Sequence, residues 1–233
     1  MVMLSDADRS RVEAAVTRGE LRTRGEIYTV MARESSDYGE VPVAWAAIAA
    51  LAAPALLLAG GIHVSAPEIL TGEWTAAQIG TVAEQSVRGA LTGALLMQGV
   101  LFVAVALLVG VIRPLRRLLT PKGLKREQVR RRAQEQFLAK NLAATRERTG
   151  VLIYVSAAER MAELIADEGV ASKVDPKVWD EAMGALISGI KRKRPAEGFE
   201  AAIAKCADVL AEHFPANAAD NPNELSDSVV ILP

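Results

Sequence analysis

Two stretches of the chain, residues 41–64 and 89–112, contain no Asp, Glu, Lys or Arg, while everything around them mixes apolar and charged positions at short intervals. Each is 24 residues long, and a helix of that length rises about 36 Å. A bilayer's hydrocarbon core is about 30 Å thick, so each stretch is long enough to cross it with some tilt. The pattern predicts transmembrane helix 1 at 41–64, an extracytoplasmic loop at 65–88 and transmembrane helix 2 at 89–112. A pair of buried core helices is the competing reading, and the remaining residues are too few to enclose two all-apolar helices on every side.

The flanking pieces read as parts of one α/β domain. Ser5 before Asp6 and Asp8 predicts a helix start, with Val12, Ala15 and Val16 as its apolar stripe. Glu26–Ala32 is β-branched and aromatic in character and predicts a strand. After the second apolar stretch, residues 125–148 predict a long charged helix touching the core through Val129, Phe137, Leu138 and Leu142. Residues 150–155 predict a second strand, and 160–167 fit either a returning strand or a helix. Asp175-Pro176 predicts the opening of another helix, with Pro at its first position and Pro195 stopping it. Residues 198–214 predict a final helix, and the turn-rich tail closes on a short apolar stretch at 229–232. The expected architecture is a few-stranded sheet flanked by helices, its residues 1–40 and 113–233 separated by a two-helix transmembrane hairpin.

Charge orients the hairpin. Nine basic side chains fall between residues 113 and 132, whereas residues 65–88 hold one, Arg88, beside Glu68, Glu73 and Glu84. Lys and Arg concentrate on the cytoplasmic side of membrane helices, so both termini are expected in the cytoplasm of a multi-pass inner-membrane protein. Arg113, Arg116, Arg117, Arg130, Arg131 and Arg132 form a basic cluster suited to lipid headgroups as well as to topology. Trp74 is expected at the opposite interface and His63 near the outer helix end. The composition, 51% apolar with 24% charged, follows from these two environments, and a net charge of −1 argues against a nucleic-acid binder. Gly89 and Gly93 form a small-xxx-small pair, compatible with packing between the two helices and with a homo-oligomer. Pro54 predicts a kink. The single cysteine, Cys206, excludes an intrachain disulfide and reads as a small apolar residue on a helix face. Residues 1–24 lack the apolar core of a secretory signal.

Thr23-Arg24-Gly25-Glu26-Ile27, the run from Arg146 through Thr149-Gly150-Val151 to Ser156, Ile165-Ala166-Asp167-Glu168-Gly169, Phe214-Pro215 and Asn223-Glu224-Leu225-Ser226-Asp227 resemble the TPM domain family. The likeness spans most of residues 5–227 outside the hairpin. It implies a small TPM-like α/β sandwich in which the strand at Glu26 pairs with the strand at Gly150 across the insertion. Family roles range from photosystem repair and receptor accessory subunits to a phosphatase, and some members bind calcium through acidic loop residues. That implies Asp175, Asp167 and Glu168 as candidate ligands for calcium or magnesium. This chain departs from the acidic loop in keeping only Asp175 in place, with Lys173 beside it. It departs also in placing the domain on the cytoplasmic side, where many relatives carry theirs outside. Ordinary structural duties explain the three acids too: a turn before Gly169 for Asp167 and Glu168, a helix cap for Asp175. No catalytic residue can be assigned, since no phosphate loop and no nucleophile–base set is present. The expected function is a non-catalytic accessory or interaction module with a protein partner in a membrane or envelope complex; the alternative is a metal-dependent phosphatase.

Overall fold

The computed structural model describes residues 3–61, 76–142, 145, 148–175, 177–216 and 225–232. In chain order its elements are α1 (Asp6–Glu20), β1 (Glu26–Ala32), α2 (Glu40–Ala59), α3 (Ala76–Val111), α4 (Arg113–Leu119), α5 (Lys122–Ala139), β2 (Gly150–Ser156), β3 (Met161–Ala166), α6 (Glu168–Ala171), α7 (Val178–Lys191), α8 (Pro195–His213) and β4 (Val230–Leu232). They divide into two compact units, one made of Met1–Asp37 with Pro121–Pro233, the other of Tyr38–Thr120. The first unit is therefore built from both ends of the chain, with the second inserted between β1 and β2.

The sheet of the first unit has the order β3-β2-β1-β4. β1 and β2 are parallel in the register Glu26↔Gly150 through Ala32↔Ser156, which realises the expected pairing across the insertion. β3 runs antiparallel to β2, from Val151↔Ala166 to Ser156↔Met161. β4 runs parallel to β1 at Val30↔Val230. Side chains alternate between the faces of a strand. Ile27, Met31, Val151, Ile153 and Val155 join a core with α1, α7 and α8, while Tyr28, Val30, Ala32, Leu152 and Tyr154 pack with Val129, Ala133 and Phe137 of α5. Helices on both faces explain why β1 and β2 are buried along their whole length and read as continuous apolar runs. At the start of α1, Ser5 accepts the Asp8 N–H and Asp8 accepts the Ser5 N–H, both at 3.2 Å, closing a capping box.

Several boundaries differ from the sequence reading for identifiable reasons. α5 ends at Ala139 rather than continuing to residue 148, because Asn141 takes φ 52 just past the C-cap, a left-handed stop that asparagine tolerates. Leu138, on the helix face away from Val129, Ala133 and Phe137, is exposed, while Leu142 beyond the helix is buried. Pro195 opens α8 at its first position instead of merely ending α7. Residues 161–166 are a strand, since their partner β2 supplies the hydrogen bonds, and the apolar tail adds the three-residue β4.

In the second unit, a Cβ built at Gly110 near the end of α3 would lie 3.9 Å from Pro42 in the first turn of α2. The two helices therefore run antiparallel. Val41, Ala46 and Ala50 of α2 are buried together with Val109 of α3. α3 begins at Ala76, inside the stretch expected to be loop; Trp74, His63, Glu68 and Glu73 lie outside the described residues. Pro54 stands inside α2. The glycines of the small-xxx-small pair do not seat α2, because a Cβ at Gly89 or Gly93 would meet nothing within 4 Å.

Candidate functional site: an acidic cluster at one end of the sheet

Parallel β1 and β2 both begin, and antiparallel β3 ends, at the same edge of the sheet. The segments that follow α8 and precede β4 return there as well. The Thr23 hydroxyl donates to the Phe214 carbonyl at 2.7 Å, and the Arg24 N–H donates to the same oxygen at 3.0 Å. The Thr149 hydroxyl donates to the Arg24 carbonyl at 3.2 Å, and the Asp167 N–H to the Gly150 carbonyl at 2.9 Å. The Leu225 N–H donates to a Glu26 carboxylate oxygen at 3.2 Å. Thr23, Glu26, Thr149, Gly150, Asp167, Phe214 and Leu225, far apart in the chain, thus lie in one neighbourhood in space. Gly150 is required there by contact, since a Cβ would sit 2.7 Å from the Leu142 carbonyl oxygen.

Two groups of carboxylates occupy this edge. In the first, Glu20 accepts the Ile27 N–H at 2.8 Å and hydrogen-bonds to Asp227, which also accepts the Thr17 hydroxyl at 2.5 Å. Burial is the main reason the Glu20 carboxyl is pushed up to about 8, with the charges of Glu26 and Asp227 adding to it against the opposing Ile27 hydrogen bond. A value of about 8 favours the protonated carboxyl at neutral pH, the form that can donate to Asp227. No local feature of the sequence marks Glu20, because its carboxylate hydrogen-bond partner, Asp227, lies near the far end of the chain. In the second group, buried Asp167 accepts the Glu168 N–H at 2.6 Å and caps the short α6. Arg148 reaches Glu168 at 2.6 Å and Asp167 at 3.6 Å. The other Asp167 oxygen is buried with no hydrogen-bond partner among the described residues.

Asp175 is exposed and accepts the Lys177 N–H at 2.9 Å, bracing the turn that leads into α7. Lys173, expected to oppose a cation at Asp175, lies over the Phe214 ring at 4.5 Å from its centroid. The proposed ligands Asp167, Glu168 and Asp175 are not brought together, and among the described residues no three His, Cys, Asp or Glu side chains converge on one point. Calcium requires six to eight oxygens. A pair of carboxylates already ion-paired with one guanidinium, with no third ligand beside it among the described residues, does not fit calcium or magnesium. Cys206 lies on the buried face of α8, where burial raises its thiol to about 12 and suppresses the thiolate.

The structure divides the basic cluster. On α5, Arg131 and Arg132 both pair with Glu135, at 3.3 and 3.0 Å. Arg130 and Arg126 face Glu163 of β3 and oppose the upward shift that burial gives its carboxyl. Arg113, Arg116 and Arg117 instead lie on α4, in the unit that holds α2 and α3. There the Trp45 indole N–H donates to the Leu119 carbonyl at 3.2 Å, joining the start of α2 to the end of α4.

No protein-family model matches the chain, and no curated protein matches it. Among solved structures, it is similar to the NMR structure of the BA42 protein from the psychrophilic bacterium Bizionia argentinensis, with a TM-score of 0.54 and 16% identity over 98% of this chain and 95% of that one. At that identity the likeness is one of fold alone.

Proposed function

We propose that the chain is a multi-pass protein of the cytoplasmic (inner) membrane, anchored by the α2–α3 hairpin with both termini in the cytoplasm. Its α/β unit is a TPM-like interaction module, accessory to a larger membrane or envelope complex. The carrying observation is the outward direction of the apolar side chains. In the most hydrophobic windows of α2 and α3, with mean hydropathy 2.1 and 2.5, only 17% and 6% of residues are buried inside the protein. A core helix of a soluble protein shows the reverse. Leu51, Leu56, Leu95 and Val100 are each at least 60% exposed, a cost in water that a lipid environment removes. The spans Glu40–Ala59 and Val87–Val111 correspond to about 30 and 38 Å of helix, and the basic residues on one side of the hairpin supply its orientation. The open face at Gly89 and Gly93 leaves room for a further transmembrane helix, from a protein partner or from a second copy. An interaction role also suits a cluster whose carboxylates are engaged in holding chain segments together rather than in gathering at a cavity.

Cysteine labelling in intact cells tests the topology. In a Cys206→Ala background, Thr75→Cys should react with a membrane-impermeant thiol reagent while Ser10→Cys and Ser228→Cys react only after permeabilisation. Protection of residue 75 with labelling of both ends would invert the orientation. Equal protection of all three, together with recovery of the chain in the soluble fraction, would remove the membrane.

A further inference from the structure

We infer that α4 is a docking surface for the headgroups of anionic phospholipids, with Arg113 and Arg116 contacting phosphate and Leu118 entering the acyl boundary. This rests on the reading of α2 and α3 as membrane-spanning. Residues three and four apart share a helix face. Arg113, Arg116 and Arg117 therefore line one side of α4, and Leu115, Leu118 and Leu119 the other. So short a helix sorted this cleanly by polarity matches a segment lying in the plane of an interface. Leu118 is 78% exposed while Leu115 and Leu119 are half-buried, so the apolar side keeps one leucine free to enter a bilayer. The backbone breaks at Ile112 (φ −88, ψ 86), and Pro114 cannot continue α3, which frees α4 to leave the line of that helix. Trp45, bonded to the last carbonyl of α4, supplies the amphipathic ring that membrane interfaces favour.

Charge selects the lipid class. α4 contains three arginines and no acidic residue. The four arginines of α5 are engaged otherwise, Arg131 and Arg132 with Glu135 and Arg126 and Arg130 near Glu163. Arg117 has a contact within the protein, which leaves Arg113 and Arg116 as the better headgroup donors. Phosphatidylglycerol presents a net negative charge to this face, whereas phosphatidylcholine offers a phosphate masked by its own ammonium.

The full chain in a zwitterionic detergent is titrated with phosphatidylglycerol or phosphatidylcholine, and bound lipid is counted by native mass spectrometry. Phosphatidylglycerol should bind preferentially, and the double variant R113Q/R116Q should bind it about thirty-fold more weakly, from the usual contribution of two juxtamembrane charges. R113K/R116K should retain most of the binding, which separates charge from misfolding, and R131Q/R132Q should leave it unchanged. Equal binding of the two lipids, loss on α5 rather than α4, or full competition by inorganic phosphate would overturn the headgroup site. Carbonate extraction of the source membranes reads the premise separately. A chain that stays embedded but shows no lipid preference defeats the site alone, and a chain that washes off defeats the membrane reading with it.

Discussion

Glu20 shows how a side chain with ordinary chemistry acquires an unusual one from its surroundings. Its carboxyl accepts the Ile27 N–H at the start of β1 and hydrogen-bonds to Asp227 just before β4. The titratable groups that face it are Glu26 on β1 and Asp227 on the C-terminal segment, while α8 presents Asp208 to Arg22 rather than to Glu20. The folded-state pKa of about 8 stands above the reference 4.5. The folded protein therefore holds this proton more tightly than the unfolded chain does. Its stabilisation is complete below the reference value and is lost as pH rises through the folded one. Stability measured by urea unfolding should fall between about pH 5 and 8 and flatten beyond. In Glu20→Gln, whose amide can accept from Ile27 and donate to Asp227 at any pH, that fall should shrink markedly. An unchanged profile would show that Glu20 ionises freely in the folded state. None of this was legible in the sequence, where a glutamate closing an exposed helix carries no mark of a carboxylate more than two hundred residues away. By contrast the helix start at Ser5 was legible, because the cap and its acidic first turn come from four consecutive residues, and the structure adds the reciprocal bond from Asp8.

Elements were legible to the degree that their signals are local. β1 and β2 announce themselves as apolar runs, whereas no local pattern dictates that they pair across the insertion. β4 is three residues long, too short for any periodicity, and exists because the edge of β1 is there to pair with. Pro195 was ambiguous in principle: the same ring that ends α7 also fits the first position of α8. The close approach of these two helices is glycine-dependent. A Cβ at Gly189 would lie 2.5 Å from Gly198 Cα and 3.0 Å from the Arg194 carbonyl oxygen, all backbone atoms that cannot swing aside. Gly189→Ala should therefore destabilise the unit by about 1–3 kcal/mol, as overpacking does. Gly184→Ala, on the same helix with nothing within 4 Å, should stabilise it by about 0.5–1 kcal/mol. Chemical denaturation of both variants checks the pair, and similar effects of the same sign would contradict the packing at Gly189.

For the whole molecule, the two uncharged stretches were the plainest feature of the sequence, and the structure gives them a place in the topology. The insertion lies within the parallel crossover from β1 to β2, so a sheet with β1 at its centre is assembled from residues on either side of the hairpin. Contact between Glu26 and Leu225 or Thr23 and Phe214 depends on that closure, whereas Asp167 meets Arg148 through the β2–β3 pairing alone. This is why the acidic cluster could not be read as a unit beforehand, although most of its residues stood in motifs already noticed. It also makes the N-terminal piece indispensable, since without β1 the strand β4 has no neighbour and β2 gains an open edge. The most direct measurement replaces residues 38–120 by a flexible linker joining Asp37 to Pro121, and follows thermal unfolding of the product beside that of residues 121–233 alone. The account predicts a soluble, cooperatively unfolding protein in the first case and a poorly folded, aggregating one in the second. A fragment 121–233 that melts as sharply as the linked protein would contradict a single α/β domain divided by the hairpin.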